Sequence, residues 1–158
     1  MHRATASNRA LTDLSSLRPG ALLRVRGGQY LLERSLRLEQ GDHAWTEHRV
    51  SSDTSGRTLW LEVPDDPAAP VVVYARGGQQ LPLPRPVLPD THEGFVLRRA
   101  GTARYRTLER AGVAKIGTLI YVEYASGARR LAFERRRRDE PWQVWHGHEL
   151  DRAEIQLV

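Results

Sequence analysis

The sequence predicts an all-β protein of two tandem small antiparallel β units, SH3-like barrels or strongly bent sheets, packed together. Three observations predict it. Apolar and polar residues alternate with a period of two over much of the chain, as half-buried antiparallel strands require. Short clusters of Gly, Pro, Ser and Asp punctuate those runs. The second half also echoes the first: Leu32-Glu33-Arg34 recurs as Leu108-Glu109-Arg110, Gly41 as Gly117 and Glu47 as Glu123, at an offset of 76 residues (123 − 47). Leu59-Trp60-Leu61-Glu62 has a weaker echo in Leu131-Ala132-Phe133-Glu134, at an offset of 72 (134 − 62). A repeat of this length is one β unit used twice. The alternative is a single β-sandwich with one shared core.

Residues 1–16 are small, polar and basic with little apolar periodicity and read as a flexible N-terminal arm, with one helical turn expected within 11–17. Arg18-Pro19-Gly20 is a turn, since proline fixes φ and glycine tolerates the left-handed region. It opens the first unit, residues 17–76, with strands expected at 21–26, 29–38, 44–51, 57–63 and 71–75. Gly27-Gly28 is a two-residue hairpin signal. In the second strand Tyr30, Leu32, Leu36 and Leu38 share a face that Arg34 interrupts. In the third, Trp45, Glu47 and Arg49 oppose Thr46, His48 and Val50; in the fourth, Leu59, Leu61 and Val63 oppose Trp60 and Glu62.

Residues 77–92 contain Pro82, Pro84, Pro86 and Pro89, which remove the donors a ladder needs, so this stretch reads as a stiff linker. The second unit, residues 93–158, is expected to form strands at 94–99, 103–111, 118–124, 129–134, 142–145 and 155–158. Its turns fall at Ala100-Gly101, Ser126-Gly127 and Arg138-Asp139-Glu140-Pro141, and one helical turn fits between Glu149 and Glu154. Units of this size bury only about 60% of their unfolded surface. They should therefore dock on each other through Trp45, Trp60, Trp142 and Trp145, or the protein should dimerise.

Composition excludes several chemistries. The 158 residues include no cysteine, which rules out disulfides, thiolate zinc sites, iron–sulfur clusters and cysteine nucleophiles. No apolar run approaches the roughly 18 residues of a membrane span, and the N-terminus lacks a secretory apolar stretch. The expected address is cytoplasmic, extending to the inner membrane face. Net charge is +5, and of 24 basic residues only Lys115 is lysine, a bias that GC-rich coding explains as well as anion binding does.

Leu17-Arg18-Pro19-Gly20, Trp45-Thr46-Glu47-His48, Leu59-Trp60-Leu61-Glu62, Asp65-Asp66, Gly101-Thr102-Ala103-Arg104-Tyr105, Gly117, Tyr121-Val122-Glu123-Tyr124, Leu131-Ala132-Phe133-Glu134 and Gly147 resemble, in order and spacing, the bacterial domain of unknown function 4178 family. The resemblance spans Leu17 to Val158 and implies a β-rich fold without naming a catalytic residue. It also implies a gene neighbourhood of polyamine aminopropyltransferase-like, small membrane and membrane-stress proteins, and so an accessory role at membranes. The Arg135–Arg138 run departs from the family pattern and looks like a local elaboration of one hairpin.

Candidate sites are few. His146-Gly147-His148 with Glu149 could begin a metal site but lacks evident further ligands, so a polar loop beside a glycine turn is expected, and neither metal nor cofactor. Glu47 with Glu123, and Glu62 with Glu134, are equivalent carboxylates. A group that recurs in both copies is more simply a structural ion pair, for example with Arg34 or Arg110, than a catalytic acid. Arg135, Arg136, Arg137 and Arg138, with Arg129 and Arg130 across the same hairpin, form the strongest basic cluster, either a solvated edge or a binder of nucleic acid or anionic lipid. Trp60 and Trp145 are expected as exposed aromatics, opposite the more apolar strand faces. No phosphate-loop, nucleophile-elbow or zincin motif occurs. The expected protein is thus no enzyme. It is a binding or accessory module of a membrane-associated or membrane-stress system with a protein partner. Electrostatic binding through the arginine run is the alternative, and a small-molecule enzyme using Glu47 or Glu123 comes third.

Overall fold

The computed structural model describes residues 13–77, 81, 83–88, 94–109 and 112–158. The expected arm up to residue 12, and the parts of the expected linker at 78–80, 82 and 89–92, lie outside the described residues. Ten antiparallel strands follow in chain order: β1 Leu22–Val25, β2 Gly28–Gln40, β3 His43–Ser51, β4 Thr58–Pro64, β5 Val71–Arg76, β6 Val96–Leu108, β7 Ile116–Ser126, β8 Arg129–Arg135, β9 Gln143–Leu150 and β10 Ile155–Leu157. Among the described residues, the 3₁₀ turns Leu14–Ser16 and Arg152–Glu154 are capped by Asp13 and Asp151.

The two tandem units do not each close. β2 to β5 and β6 to β9 are four-strand meanders, and each is half of one barrel. β5 pairs with β9 from Val71↔Leu150 to Arg76↔Trp145, and β2 pairs with β6 from Ser35↔Leu108 to Glu39↔Arg104. These two seams close β2-β3-β4-β5-β9-β8-β7-β6 into an eight-stranded ring, with β1 and β10 added beside the first part of β2. Closure satisfies the four sheet edges that two separate meanders would leave open. It thus corrects the tandem-unit expectation.

A β-bulge between Leu32 and Arg34 decides which way β2 faces. One extra residue inverts the alternation. Tyr30 and Leu32 point to an outer core, whereas Arg34 and Leu36, of the same parity, line the lumen. The single face read from the sequence is therefore two. β6 carries a matching bulge between Leu97 and Arg99. The expected turn at Ala100-Gly101 is instead the interior of β6: Gly101 has φ 155°, and a side chain there would collide with Gln40.

Two apolar layers clothe the outside. Leu59, Leu61 and Val63 of β4, Val71 and Val73 of β5 and Val50 of β3 pack under Leu23, Val25, Ile155 and the preceding Leu14 and Leu17. Leu14, expected in the flexible arm, is 1% exposed and belongs to this core. On the other half, Tyr124, Leu131 and Phe133 pack under Leu81, Leu88 and Phe95. The expected linker therefore serves as a cover for the second half.

The strand correspondence between the halves holds only in part. Glu47 and Glu123 lie on β3 and β7, the second strands of their meanders, and Glu62 and Glu134 lie on β4 and β8. Glu33 lies within β2 whereas Glu109 follows the end of β6, so that part of the 76-residue offset joins unlike positions.

Candidate functional site

An open cavity of about 1300 Å³ runs from the inner face of the barrel out past Leu81, Trp142 and Val144. Eight strands leave an interior that side chains fill or that holds one small ligand. Here the filling is incomplete. One wall carries Leu38, Trp45, Ala103 and Tyr121, and the other carries Val72, Tyr74, Ala132, Trp60 and Trp145. Trp60 on β4 and Trp145 on β9 meet edge to face at 6.4 Å between ring centroids, and Trp45 on β3 meets Tyr121 on β7 at 5.8 Å. The halves do join through tryptophans, as expected. Trp60 and Trp145 themselves are inside, half-buried against the cavity, which corrects their placement on the outer surface. The physical reason is closure: the face opposite the apolar one is the lumen.

Glycines make room for the rings. Gly147 lies directly across from Tyr74, and a Cβ there would come within 2.6 Å of the Tyr74 ring. The His146-Gly147-His148 segment is therefore the middle of β9 and not a polar loop. Among the described residues, no group of three or more His, Asp or Glu is arranged to hold a metal ion.

All four recurrent glutamates face this lumen, in two different situations. Glu123 is 4% exposed and paired: Arg98 Nη1 lies 3.5 Å and Arg130 Nε 3.7 Å from it, and the Tyr74 hydroxyl donates to it at 3.2 Å. Arg130, also 4% exposed, bonds Glu149 and the Gly127 carbonyl at 2.8 Å, so these groups plug the floor. The other three carboxylates border open cavity. Glu47 and Glu62 are directly opposite each other on β3 and β4. Glu47 accepts a hydrogen bond from Trp45 Nε1 at 3.1 Å, whereas Glu62 has no hydrogen bond or ion pair with any described residue. Among the described residues Arg34 makes no ion pair with these glutamates and lines the cavity instead, whereas the expected pairing with Arg110 lies outside the described residues.

Enclosure by the barrel wall disfavours charge on these three. It pushes the Glu47 carboxyl up to about 8, with Glu134 and Glu123 raising it further and the Trp45 bond opposing. Glu62 is also raised to about 8, first by burial, then by Glu123 and Glu47, against Arg99 and Arg98. Glu134 rises to about 7 by burial and by Glu62, against Trp145 and Arg136. Tyr74 is likewise pushed well up by burial and the neighbouring glutamates.

The arginine run sits at the opposite end of β8 from Arg129 and Arg130, which corrects the expected six-arginine cluster. Arg135, Arg136 and Arg138 border the cavity mouth, with Arg34, Arg76 and Leu83. Arg135 stacks over Trp142 at 4.1 Å, Arg136 lies 5.8 Å from the Tyr105 ring, and Arg137 pairs with Asp139 and Glu140.

The sequence singled out the glutamates and Trp60 with Trp145 but not Trp45, Tyr74, Tyr121 or Arg130 as members of one site. The usable signal was the polar parity of Trp60 and Glu62 opposite Leu59, Leu61 and Val63, which reads the same for a lumen as for bulk solvent.

Among known proteins, the model of a family described as Domain of unknown function (DUF4178) matches residues 18–152. No curated protein and no solved structure matches the chain.

Proposed function

The chain belongs to the DUF4178 family, a family of unknown function, and from that premise we propose that it is a non-catalytic binding barrel that takes a small molecule into its lumen. The observation that carries this is the unfilled interior. A concave cavity that brings aromatic rings together with convergent charged side chains of both signs is a form a ligand site can take. The fold spends eight strands on enclosing it, and its outer apolar layers do not depend on what the lumen holds. The neighbourhood implied by the family resemblance supports a role in a membrane-associated system, in which this barrel would sense or carry its ligand.

A second reading is a small-molecule enzyme using Glu47 or Glu62, since both are enclosed carboxyls held protonated near neutral pH. Acid–base work calls for neighbouring groups pushed in opposite directions. Glu47, Glu62 and Glu134 are all pushed the same way, which favours binding. Binding of nucleic acid or anionic lipid by Arg135–Arg138 has less support, because Arg135 and Arg137 are already engaged within the fold.

Native mass spectrometry and thermal shift test the reading. Protein purified from its own cells should carry a small molecule that leaves on denaturation. Library compounds that raise Tm should fail with Ala132→Phe, which adds bulk to the wall beside Trp145, or with Leu119→Phe on the facing wall. No bound mass and identical hits on the filled variants would overturn it.

A further inference from the structure

We propose that the lumen binds an organic ammonium ion, its charge held among Glu47, Glu62 and Glu134 and its hydrocarbon body against Trp60, Trp145 and Tyr74. This rests on the lumen being a ligand site, and adds the chemistry of what enters.

The geometry leads there in three steps. Glu62 is enclosed by the barrel wall, points into the cavity and has no donor among the described residues. A carboxylate is an acceptor only, so an enclosed one without a donor is an incomplete arrangement that a ligand bearing N–H groups completes. Glu47 stands beside it on the neighbouring strand with one indole N–H, and Glu134 acts on both from β8. Three acceptors around a cavity, with no cluster among the described residues arranged for a metal ion, suit a cation of several atoms. The aromatic walls supply the second half of the recognition, since ring faces attract ammonium groups and cover alkyl chains.

The charge state of the empty lumen agrees. Near neutral pH burial keeps Glu47 and Glu62 largely protonated, so the site holds protons where a ligand cation would sit. An entering ammonium ion restores the carboxylates and releases those protons. The groups facing them are Glu123 on β7, Arg98 and Arg99 on β6, Tyr74 on β5 and Arg136 beyond β8. Glu123 is already paired, with Arg98 and Arg130. Arg99 is turned to His43 and lies 6.0 Å from the Trp45 ring. Arg136 lies over Tyr105. Arg98 and Arg99 border Glu62 in a smaller cavity with His43 and Val72, and Arg34, Arg76 and Arg99 also line the lumen, so an ammonium ion would meet Glu62 from the lumen side, toward Glu47 and Glu134.

The test compares 1,6-diaminohexane and hexylamine with the neutral 1,6-hexanediol and with hexanoate, by titration calorimetry on the full chain. The amines should bind at least tenfold more tightly than the diol and hexanoate. Alkylamines stay protonated up to about pH 10, so their affinity should rise about tenfold from pH 6 to pH 8 as the lumen carboxyls ionise, with proton release visible in buffers of different ionisation heat. Glu62→Gln and Glu47→Gln should each lower amine affinity about tenfold while leaving the circular dichroism spectrum unchanged. Equal binding of diol and amines, or no loss in both Gln variants, overturns the ammonium assignment. If diol or hexanoate binds the native chain but not Ala132→Phe, the lumen reading stands and only the assignment falls. If no probe distinguishes native from Ala132→Phe, both fall.

Discussion

The two faces of β4 differ as much as any two regions of this molecule. On the outer face Leu59, Leu61 and Val63 are dry and packed; on the inner face Trp60 and Glu62, alternating with them, border an open cavity. The outer face follows the usual economy of a core, with every apolar side chain covered. The inner face violates it, keeping enclosed carboxyls beside unfilled space. Stability and binding are thus separated across a single strand. Side chains on the outside hold the barrel, and those inside are left free to answer to a ligand.

The largest expected effect tests that separation directly. Leu61→Ala should cost roughly 2–5 kcal/mol in chemical denaturation, because a fully enclosed side chain leaves a cavity behind. Trp60→Ala, removing a larger side chain one residue away, should cost less, since part of its surface already faces open lumen. Equal or reversed costs would break the comparison.

The pH dependence of stability should show two limbs of opposite sign. His48, on the outer face, receives the Ser35 hydroxyl interaction at its Nδ1 (2.7 Å) and reaches the Leu14 carbonyl through Nε2 (2.7 Å). Burial pulls it down to about 4, against the Leu14 bond. The unfolded chain therefore takes up the proton first, and the contribution of His48 is lost as pH falls from about 6.5 towards 4. The lumen carboxyls are raised, so the folded chain keeps their protons longer. Their contribution is present below about pH 4.5 and is lost as pH rises through 7 to 8. The His48 limb should amount to roughly 3 kcal/mol and the alkaline limb, to which three carboxyls contribute, to more. Thermal melts from pH 4 to 9 check this: His48→Leu should flatten the acid limb only, and the double variant Glu47→Gln with Glu62→Gln the alkaline limb only.

The smallest effect is at the mouth. Arg135→Ser removes the guanidinium from the Trp142 face and should cost about 0.5–1 kcal/mol. It should leave amine affinity within about twofold, because the Arg135 guanidinium lies on the Trp142 ring and not among Glu47, Glu62 and Glu134. A tenfold change would move the recognition site to the rim.

How much was legible follows from particular residues. Strand positions were readable because alternation is local: Leu59 to Val63 declare a strand whatever lies beyond it. The β2 bulge was not, since Tyr30, Leu32, Leu36 and Leu38 keep one parity and only the pairing partner shows the inversion at Glu33. His146-Gly147-His148 read as a loop because glycine usually marks one. Its actual role, making space for the Tyr74 ring on the facing strand, is a non-local contact.

By itself, then, the sequence determined the all-β class, most strand positions and the two-sidedness of each strand, because backbone pleat and hydrophobic burial act between near neighbours in the chain. Only the tertiary structure decided that the polar side is an interior. The pairings β5 with β9 and β2 with β6 join residues more than sixty positions apart, and they turn a face that would have met solvent into the wall of a cavity where glutamates hold their protons.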